Sequence, residues 1–227
     1  MKYHPNCFIK ELWPEVESVE LEKVCSNILQ YPNRIIEIQG VDHSYGELAE
    51  YLKSHKWFTD TLINQYLHLF QSQNRREDNW ICSSFEFEAM QRTHNREHLI
   101  DKFCSFHKLL IPVNFQNKHW LCIELYPHCR RVNIYDSLYD HNDFLFKVLN
   151  EFWASVKSHK GWKTDLKITW YNKTPKQVDS SSCGLHCISN IKSMHLGLPM
   201  LEISDELEHI RRYIIYTILK NDLNKNT

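Results

Sequence analysis

The segment from residue 175 to 187 joins a polar, serine-rich loop to the start of an apolar helix, and Cys183 lies at the junction. A helix N-terminus presents unpaired N–H groups and the positive end of the helix dipole, which together stabilise a thiolate. Gly184 has no side chain and would let a substrate backbone approach closely. The alternative is that Ser181 or Ser182 caps the helix and Cys183 packs beneath it as an inert buried thiol.

A thiolate nucleophile needs a base, and the base needs an acceptor that orients it. Two further residues have the types and spacing for these roles. His119 begins a strand of alternating residues that runs to Tyr126, and Asp136 ends the next strand. Because a hairpin brings the start of one strand beside the end of the next, we expect His119 and Asp136 to be neighbours. A carboxylate that orients an imidazole would complete a nucleophilic triad. Taken singly, His119 also fits a structural histidine and Asp136 a strand-end cap.

Hydrophobic periodicity predicts the elements that must position these residues. A helical pattern covers residues 47–71, with Thr59 as an N-cap, and a polar loop follows at 72–80. Residues 1–45 have the weakest pattern and are predicted to be an N-terminal extension or arm, followed by one domain over residues 46–227. Helices on both sides of a block of strands predict an α+β fold. Strands are predicted at 109–113, 119–126, 132–136 and 166–171, and helices at 143–158, 183–197 and 202–220.

Composition narrows the class of protein. The chain has 227 residues and a formal net charge of −1, which argues against a dedicated nucleic-acid binder because phosphate contacts need a basic surplus. No apolar run approaches the length of a membrane-spanning helix or follows the N-terminus as a secretory signal, so we expect an intracellular protein, nuclear or cytoplasmic. Its 8 cysteines should then be reduced, and most are expected to be small buried hydrophobic residues.

The cysteines and 14 histidines also raise the question of a metal site. No C-x-x-C pair is present, although zinc knuckles and ribbons need one. Residues 94–98 match H-x-x-E-H, the inverted zincin signature, but the flanking sequence is polar and chance matches are common in a histidine-rich chain. A solvated, charged surface helix is the preferred interpretation, and we expect neither a metal nor another cofactor.

Four blocks in order resemble the ubiquitin-like-protein-specific cysteine proteases, the SUMO/sentrin protease family. Residues 57–67 are similar to its W-L-x-D-x-x-I-N-x-Y-L helix, and residues 111–120 to I-P-[IV]-N followed by H-W. Residues 135–138 match Y-D-S-L, and residues 177–184 are similar to Q-x-N-x-x-D-C-G with the same spacing from glutamine to cysteine. Residues 210–212 resemble the closing segment of the family.

Three positions depart from the pattern of that family. Phe58 stands for the usual leucine, Asp179 for asparagine, and Ser182 for the aspartate before the cysteine. None of them removes a catalytic group. Asp179 and Ser182 leave open the geometry of residues 177–182, the loop before Cys183, here called the nucleophile loop.

The resemblance implies a papain-like cysteine protease fold, with a central mixed sheet flanked by helices and a catalytic domain over residues 46–227. Cys183 would attack the carbonyl after a C-terminal Gly-Gly. His119 would act as general base and then general acid, and Asp136 would hold its tautomer. Gln177 would donate to the oxyanion together with the backbone N–H of Cys183.

Two indoles complete the implied substrate site. Trp57 and Trp120 resemble the family's pair that encloses a narrow tunnel, through which only residues without side chains can pass. Gly184 would belong to the same substrate-binding set. Core packing is the alternative for both tryptophans.

The implied activity is that of a cysteine isopeptidase or endopeptidase that deconjugates or matures a ubiquitin-like modifier, with SUMO as the best match. We expect a monomer whose partners are the modifier and its conjugates, with no nucleic acid and no membrane. Alternatives are a deneddylase or deubiquitinase of the same fold, an acetyltransferase effector, an inactive modifier-binding module, or a zinc peptidase. Gln177 and the two tryptophans favour proteolysis over acetyl transfer. The basic residues Arg75, Arg76, Arg92 and Arg96 could meet an acidic modifier face, although a solvated loop is the default interpretation.

Overall fold

The computed structural model describes residues 5–16, 18–92, 94, 96–139 and 141–223. The helices are α1 (Pro5–Leu12), α2 (Ser18–Gln30), α3 (Tyr45–Tyr51), α4 (Asp60–Gln73), α5 (Ser84–Gln91), α6 (Glu97–Cys104), α7 (Asp143–Lys160), α8 (Cys183–Leu196) and α9 (Leu207–Leu223). The strands are β1 (Ile35–Ile38), β2 (Val41–Ser44), β3 (Asn79–Ile81), β4 (Lys108–Phe115), β5 (His119–Tyr126), β6 (Arg131–Tyr135) and β7 (Lys167–Trp170). Within these residues no helix is long and apolar enough to cross a membrane.

A mixed five-stranded sheet forms the centre of the fold, with the order β3-β4-β5-β6-β7. The inner pairs β4–β5 and β5–β6 are antiparallel, and the outer pairs β3–β4 and β6–β7 are parallel. The predicted β5–β6 hairpin is present, with Cys122 opposite Tyr135. Strand β5 starts at His119, directly after a turn in which Gln116 and Asn117 have positive φ. The sheet therefore places His119 at a strand end, as the sequence predicts.

Helices cover both faces of the sheet, so the central strand β5 is buried on both sides. Trp120 and Cys122 lie in a first core with α4, α8 and α9, whereas Leu121 and Ile123 lie in a second core with α5, α6 and α7. The alternation along β5 follows from the two-residue period of a strand. The α+β fold class is confirmed.

The helical pattern over residues 47–71 is two helices in the structure. Helix α3 ends at Tyr51, and α4 begins at Asp60 after the predicted N-cap Thr59, whose hydroxyl accepts a hydrogen bond from the Leu62 N–H at 3.4 Å. Periodicity did not resolve the break, because the intervening residues include no proline or glycine that would mark it.

The N-terminal segment contains α1, α2 and the β1–β2 hairpin, which its weak pattern did not predict. Trp13, Ile28 and Ile38 are buried in the first core together with residues of α8 and α9. Short amphipathic elements give few repeats of the helical period, so their signal in the sequence is weak. The division at residue 45 stays a prediction, and the two parts share a hydrophobic core.

Candidate active site

His119 and Asp136 are hydrogen-bonded neighbours, as the hairpin argument predicted. The Nε2 atom of His119 lies 2.7 Å from Oδ1 of Asp136, and both residues are buried. The same Oδ1 atom accepts the backbone N–H groups of Leu138 at 2.7 Å and Tyr139 at 3.0 Å. The loop after β6 therefore fixes the carboxylate, and the carboxylate fixes the ring.

The other ring nitrogen of His119 is not engaged by Asp136, and Cys183 is close enough to the ring to affect its pKa. Burial lowers the pKa of His119, but the hydrogen bonds and charges of Asp136 and Cys183 outweigh it and raise the pKa from 6.5 to about 9. The imidazole is therefore protonated at neutral pH. An imidazolium held between a carboxylate and a thiol is arranged to stabilise a thiolate.

Cys183 is the first residue of α8 and is only 2% exposed. The side chain of Ser182 makes no capping hydrogen bond to the helix, and the Ser181 hydroxyl donates instead to the carbonyl of Ser54 at 3.0 Å. The alternative in which a serine hydroxyl caps α8 is therefore wrong. Cys183 therefore lies at a helix N-terminus to which the Ser182 side chain makes no capping hydrogen bond.

Asp179 shapes the loop before Cys183. Its Oδ1 atom accepts the backbone N–H groups of Ser181 at 2.9 Å and Ser182 at 2.8 Å. Burial raises the pKa of this carboxyl, but those hydrogen bonds outweigh it and lower the pKa below its usual value. The departure from asparagine thus keeps a loop-closing acceptor and adds a negative charge to the loop.

Gln177 is fixed between the Asp136 loop and the nucleophile loop. Its Oε1 accepts the Ser137 hydroxyl at 2.7 Å, and its backbone N–H donates to the Ser137 carbonyl at 2.9 Å. The amide Nε2 donates to the carbonyl of Asp179 at 2.6 Å. Since Oε1 is engaged by Ser137, the NH2 group is turned toward the nucleophile loop. That nitrogen carries two hydrogens, one of which goes to Asp179.

The two tryptophans differ in exposure. Trp57 is 39% exposed, whereas Trp120 is 2% exposed and its indole N–H donates to the carbonyl of Phe58 at 3.0 Å. A Cβ atom on Gly184 would stand 3.2 Å from Cδ1 of Ile63 and 3.3 Å from Cβ of Phe58. Glycine at this position therefore allows the start of α8 to pack against the start of α4. Trp120 packs in the first core, and the tunnel role of the pair stays a prediction.

An open cleft of about 400 Å³ adjoins His119. The ring of Tyr139 packs edge-on against His119 with 5.3 Å between centroids. The cleft lies between the β4–β5 turn and the loop that follows β6, and its lining includes Phe115, Gln116, Lys118, Tyr139 and His141.

Sequence reasoning did not assign Ser137 or Arg211, although both lie in segments that carry the family resemblance. Ser137 is the third residue of the Y-D-S-L block, and Arg211 lies in the closing segment. Arg211 is buried and donates to the carbonyls of Tyr51, Ser54 and Lys56. Only the three-dimensional contacts distinguish these two residues from ordinary polar neighbours of a motif.

The inverted zincin pattern is not carried by one helix. His94 precedes α6, which begins at Glu97, while residues 93 and 95 lie outside the described part of the chain. No group of three or more histidine, cysteine or acidic side chains could hold a metal ion among the described residues. The pattern therefore gives no support to zinc chemistry.

Two further expectations need correction. Arg96 is buried and donates to the Ser155 hydroxyl and the Met90 carbonyl, both at 2.8 Å, so it is not a solvated loop residue that could meet a modifier. Among the described cysteine side chains besides Cys183, half are buried, Cys25 and Cys104 are partly exposed, and Cys129 is exposed. The interpretation of the remaining cysteines as core residues holds for Cys82, Cys122 and Cys187.

A mixed sheet flanked by helices, with a cysteine at a helix N-terminus beside a histidine–aspartate pair, defines a papain-like cysteine peptidase. The sequence profile of the Ulp1 protease family, C-terminal catalytic domain, matches residues 47–223. This chain therefore belongs to the Ulp1 protease family and is a cysteine-type peptidase. No curated protein sequence matches it significantly.

Solved structures share the fold. The yeast Ulp1 protease domain in complex with Smt3, the yeast SUMO orthologue, is similar with a TM-score of 0.75 and 18% identity over 93% of this chain and 99% of that one. The Ulp1-like SUMO protease domain of Chaetomium thermophilum has a TM-score of 0.68 and 18% identity over 91% and 90% of the two chains. The Xanthomonas campestris effector XopD bound to ubiquitin has a TM-score of 0.54 and 15% identity over 71% and 91%.

Proposed function

We propose that this protein hydrolyses the peptide or isopeptide bond after the C-terminal Gly-Gly of a ubiquitin-like modifier, and that SUMO is its preferred modifier. The observation that carries the proposal is His119, held between Asp136 and Cys183 with its pKa raised to about 9. This is the geometry of a thiolate nucleophile with a proton donor beside it.

The reaction begins with the thiolate of Cys183, which attacks the glycine carbonyl. Gln177 and the backbone N–H of Cys183 donate hydrogen bonds to the oxyanion, and one such donor contributes about 3 kcal/mol of transition-state stabilisation. The carbon–nitrogen bond breaks as the His119 imidazolium gives its proton to the leaving lysine amine. Because the pKa of His119 is about 9, this proton is already on the ring before attack.

The second half of the reaction releases the modifier. Neutral His119 takes a proton from water, and the hydroxide that forms attacks the thioester carbonyl. The carbon–sulfur bond then breaks and Cys183 leaves as a thiolate, which restores the starting ion pair. Asp136 keeps the ring oriented in both halves through its 2.7 Å bond to Nε2.

The Gly-Gly tail would pass between Trp57 and Trp120 to reach Cys183. The exposed Trp57 precedes Phe58, whose carbonyl anchors the indole of Trp120, so the two segments lie together beside α8. Departure of the lysine-bearing polypeptide would be toward the open cleft at His119, since the leaving amine takes its proton from that ring.

We propose SUMO rather than another modifier because the similar structures include the complex of yeast Ulp1 with Smt3 and the SUMO protease of Chaetomium thermophilum. A deubiquitinase is the second candidate, because XopD is similar in fold and is bound to ubiquitin. We also propose that the protein is intracellular and monomeric, and that its partners are the modifier and its conjugates.

The test is turnover of C-terminal aminocoumarin amides of SUMO, NEDD8 and ubiquitin. We expect the highest kcat/KM with SUMO, and no turnover by Cys183→Ser. Cys129→Ser, which changes an exposed cysteine in the β5–β6 turn, is the matched control and should retain full activity. Absence of turnover with all three substrates, or full turnover by Cys183→Ser, would reject the proposal.

A further inference from the structure

Arg211 on α9 is one of the largest fully buried side chains in the described part of the protein, with 2% exposure. Its Nη1 atom donates to the carbonyls of Lys56 at 2.7 Å and Tyr51 at 3.2 Å, and its Nη2 atom donates to the carbonyl of Ser54 at 2.9 Å. Tyr51 is the last residue of α3, and Ser54 and Lys56 lie between α3 and α4; residues 51–58 are here called the Trp57 loop.

Arg211 donates to three carbonyls that lie outside a helical hydrogen-bond ladder: Tyr51 ends α3, and Ser54 and Lys56 follow it. The last carbonyls of a helix have no partner within it, and a buried carbonyl without a donor is costly. A guanidinium presents five N–H groups in a rigid fork, so one side chain can bind several carbonyls at once. The same guanidinium lies 5.1 Å from the ring centroid of Phe58, the residue after Trp57.

The Trp57 loop is also tied to the nucleophile loop. The carbonyl of Ser54 accepts both Arg211 and the hydroxyl of Ser181, two residues before Cys183. Burial lowers the pKa of Arg211, and the negative charges of Asp179 and Cys183 oppose that effect. The guanidinium is thus close enough to the nucleophile loop to interact with its charges.

We propose that Arg211 is a positioning residue that sets the Trp57 loop, and with it Trp57, relative to Cys183. This inference rests on the proposed function, in which the modifier tail passes Trp57 on its way to the nucleophile. Arg211 touches neither substrate nor reacting atoms, and it acts through the backbone of residues 51–56.

The neighbouring Arg212 provides a matched control on the same helix. It is partly exposed and pairs with Glu208, one helical turn earlier, at 2.6 Å. Arg212→Lys therefore makes the same chemical change without touching the Trp57 loop. Arg211→Lys keeps the positive charge but replaces the fork with a single ammonium, which cannot hold three carbonyls in the same geometry.

The experiment compares two reactions of Cys183. Hydrolysis of SUMO aminocoumarin needs the modifier tail in place, whereas alkylation of Cys183 by iodoacetamide needs only the thiolate. We expect Arg211→Lys to lower kcat/KM by about 10- to 100-fold, mainly through a higher KM, because small displacements of a positioning group have effects of this size. The alkylation rate should equal that of the wild type, and Arg212→Lys should match the wild type in both reactions.

Three outcomes would overturn the inference: unchanged KM in Arg211→Lys, an equal loss of hydrolysis and alkylation, or the same defect in Arg212→Lys. If Arg211→Lys does not fold, Ser181→Ala removes the link between the two loops and leaves Arg211 in place. Its KM should rise with alkylation unchanged, and an unchanged KM would reject the inference. A wild-type protein that cleaves no modifier substrate would instead reject the proposed function.

Discussion

At the scale of single residues, the proton on His119 determines how the site works. Burial lowers the pKa of the His119 ring, but its interactions with Asp136 and Cys183 raise the pKa by more, so the ring is charged at neutral pH. In the proposed mechanism the His119 imidazolium is the acid that protonates the leaving amine, so loss of its proton at high pH should stop the reaction.

Loss of the His119 proton should set the alkaline limit of activity. As pH rises through about 9, the folded enzyme loses the His119 proton, so kcat/KM for SUMO aminocoumarin should fall with an apparent pKa near that value. Asp136→Asn removes the charge that raises the pKa but keeps the burial that lowers it, so the limit should move to lower pH. Asp165→Asn, in an exposed residue paired with Lys157 and outside the cleft, is the control and should leave the limit in place. An alkaline limit that does not move in Asp136→Asn would contradict this account of His119.

Ser137 should act through Gln177. Its hydroxyl binds Oε1 and so keeps the NH2 group directed toward the nucleophile loop. Ser137→Ala should lower kcat by about 10-fold with little change in KM, a part of the 10²- to 10³-fold cost of losing an oxyanion donor. In a Gln177→Ala background the same change should have almost no further effect, because both act on one interaction. Additive effects in the double variant, measured by steady-state kinetics, would disprove the coupling.

At the scale of elements, the sequence predicted the parts of the site that rest on strong periodicity. Strand β5 has the bounds expected from its alternation, and α8 begins at Cys183 as the change from polar loop to apolar run indicated. The hairpin then placed His119 beside Asp136 without any further information. These features are local, and local patterns are what a sequence displays directly.

The parts that escaped prediction depend on contacts between distant segments. The break between α3 and α4 is stabilised by Arg211, which lies 155 residues beyond Lys56 in the chain. The burial of Arg96 depends likewise on α7, 59 residues away at Ser155. Neither pairing has a period or motif that marks it, so hydrophobic patterning could not find either one.

The contact between α8 and α4 sets the position of the nucleophile helix. A methyl group on Gly184 would meet Cδ1 of Ile63 and Cβ of Phe58 at 3.2 and 3.3 Å. Gly184→Ala should lower the free energy of unfolding by about 1–3 kcal/mol through overpacking. Ile63→Val removes the Cδ1 atom and should recover part of that loss in the double variant. Urea denaturation of the single and double variants measures both effects, and equal stability of Gly184→Ala and wild type would refute the packing argument.

At the scale of the whole molecule, the N-terminal segment and the catalytic helix share one core. Trp13 stacks on Tyr66 with 6.1 Å between ring centroids. The Lys192 ammonium of α8 lies 3.6 Å from the centroid of the Trp13 ring and donates to the Tyr66 hydroxyl at 2.9 Å. Burial lowers the pKa of Lys192 well below its usual value. The segment before residue 45 thus buries the Lys192 ammonium by packing Trp13 against it.

Removal of the Trp13 side chain should destabilise the whole domain. Trp13→Ala should lower the free energy of unfolding by about 3–5 kcal/mol, as is typical of large aromatic residues in a core. Val19→Ser changes a residue of α2 that is 74% exposed and should shift stability by no more than about 0.5 kcal/mol. Urea denaturation followed by far-ultraviolet circular dichroism, a signal dominated by the backbone, measures the free energy of unfolding of both variants. Equal stability of Trp13→Ala and wild type would mean that the N-terminal segment is an independent arm.

Cys183 is proposed to be the nucleophile that attacks the last glycine of a SUMO-like modifier. Reaction with SUMO propargylamide, followed by peptide mass spectrometry, tests it most directly because the adduct marks the attacking atom. We expect one adduct, on Cys183, formed faster than with the NEDD8 or ubiquitin probes and absent in Cys183→Ala. An adduct on another cysteine such as Cys129, or no adduct with any of the three probes, would contradict it.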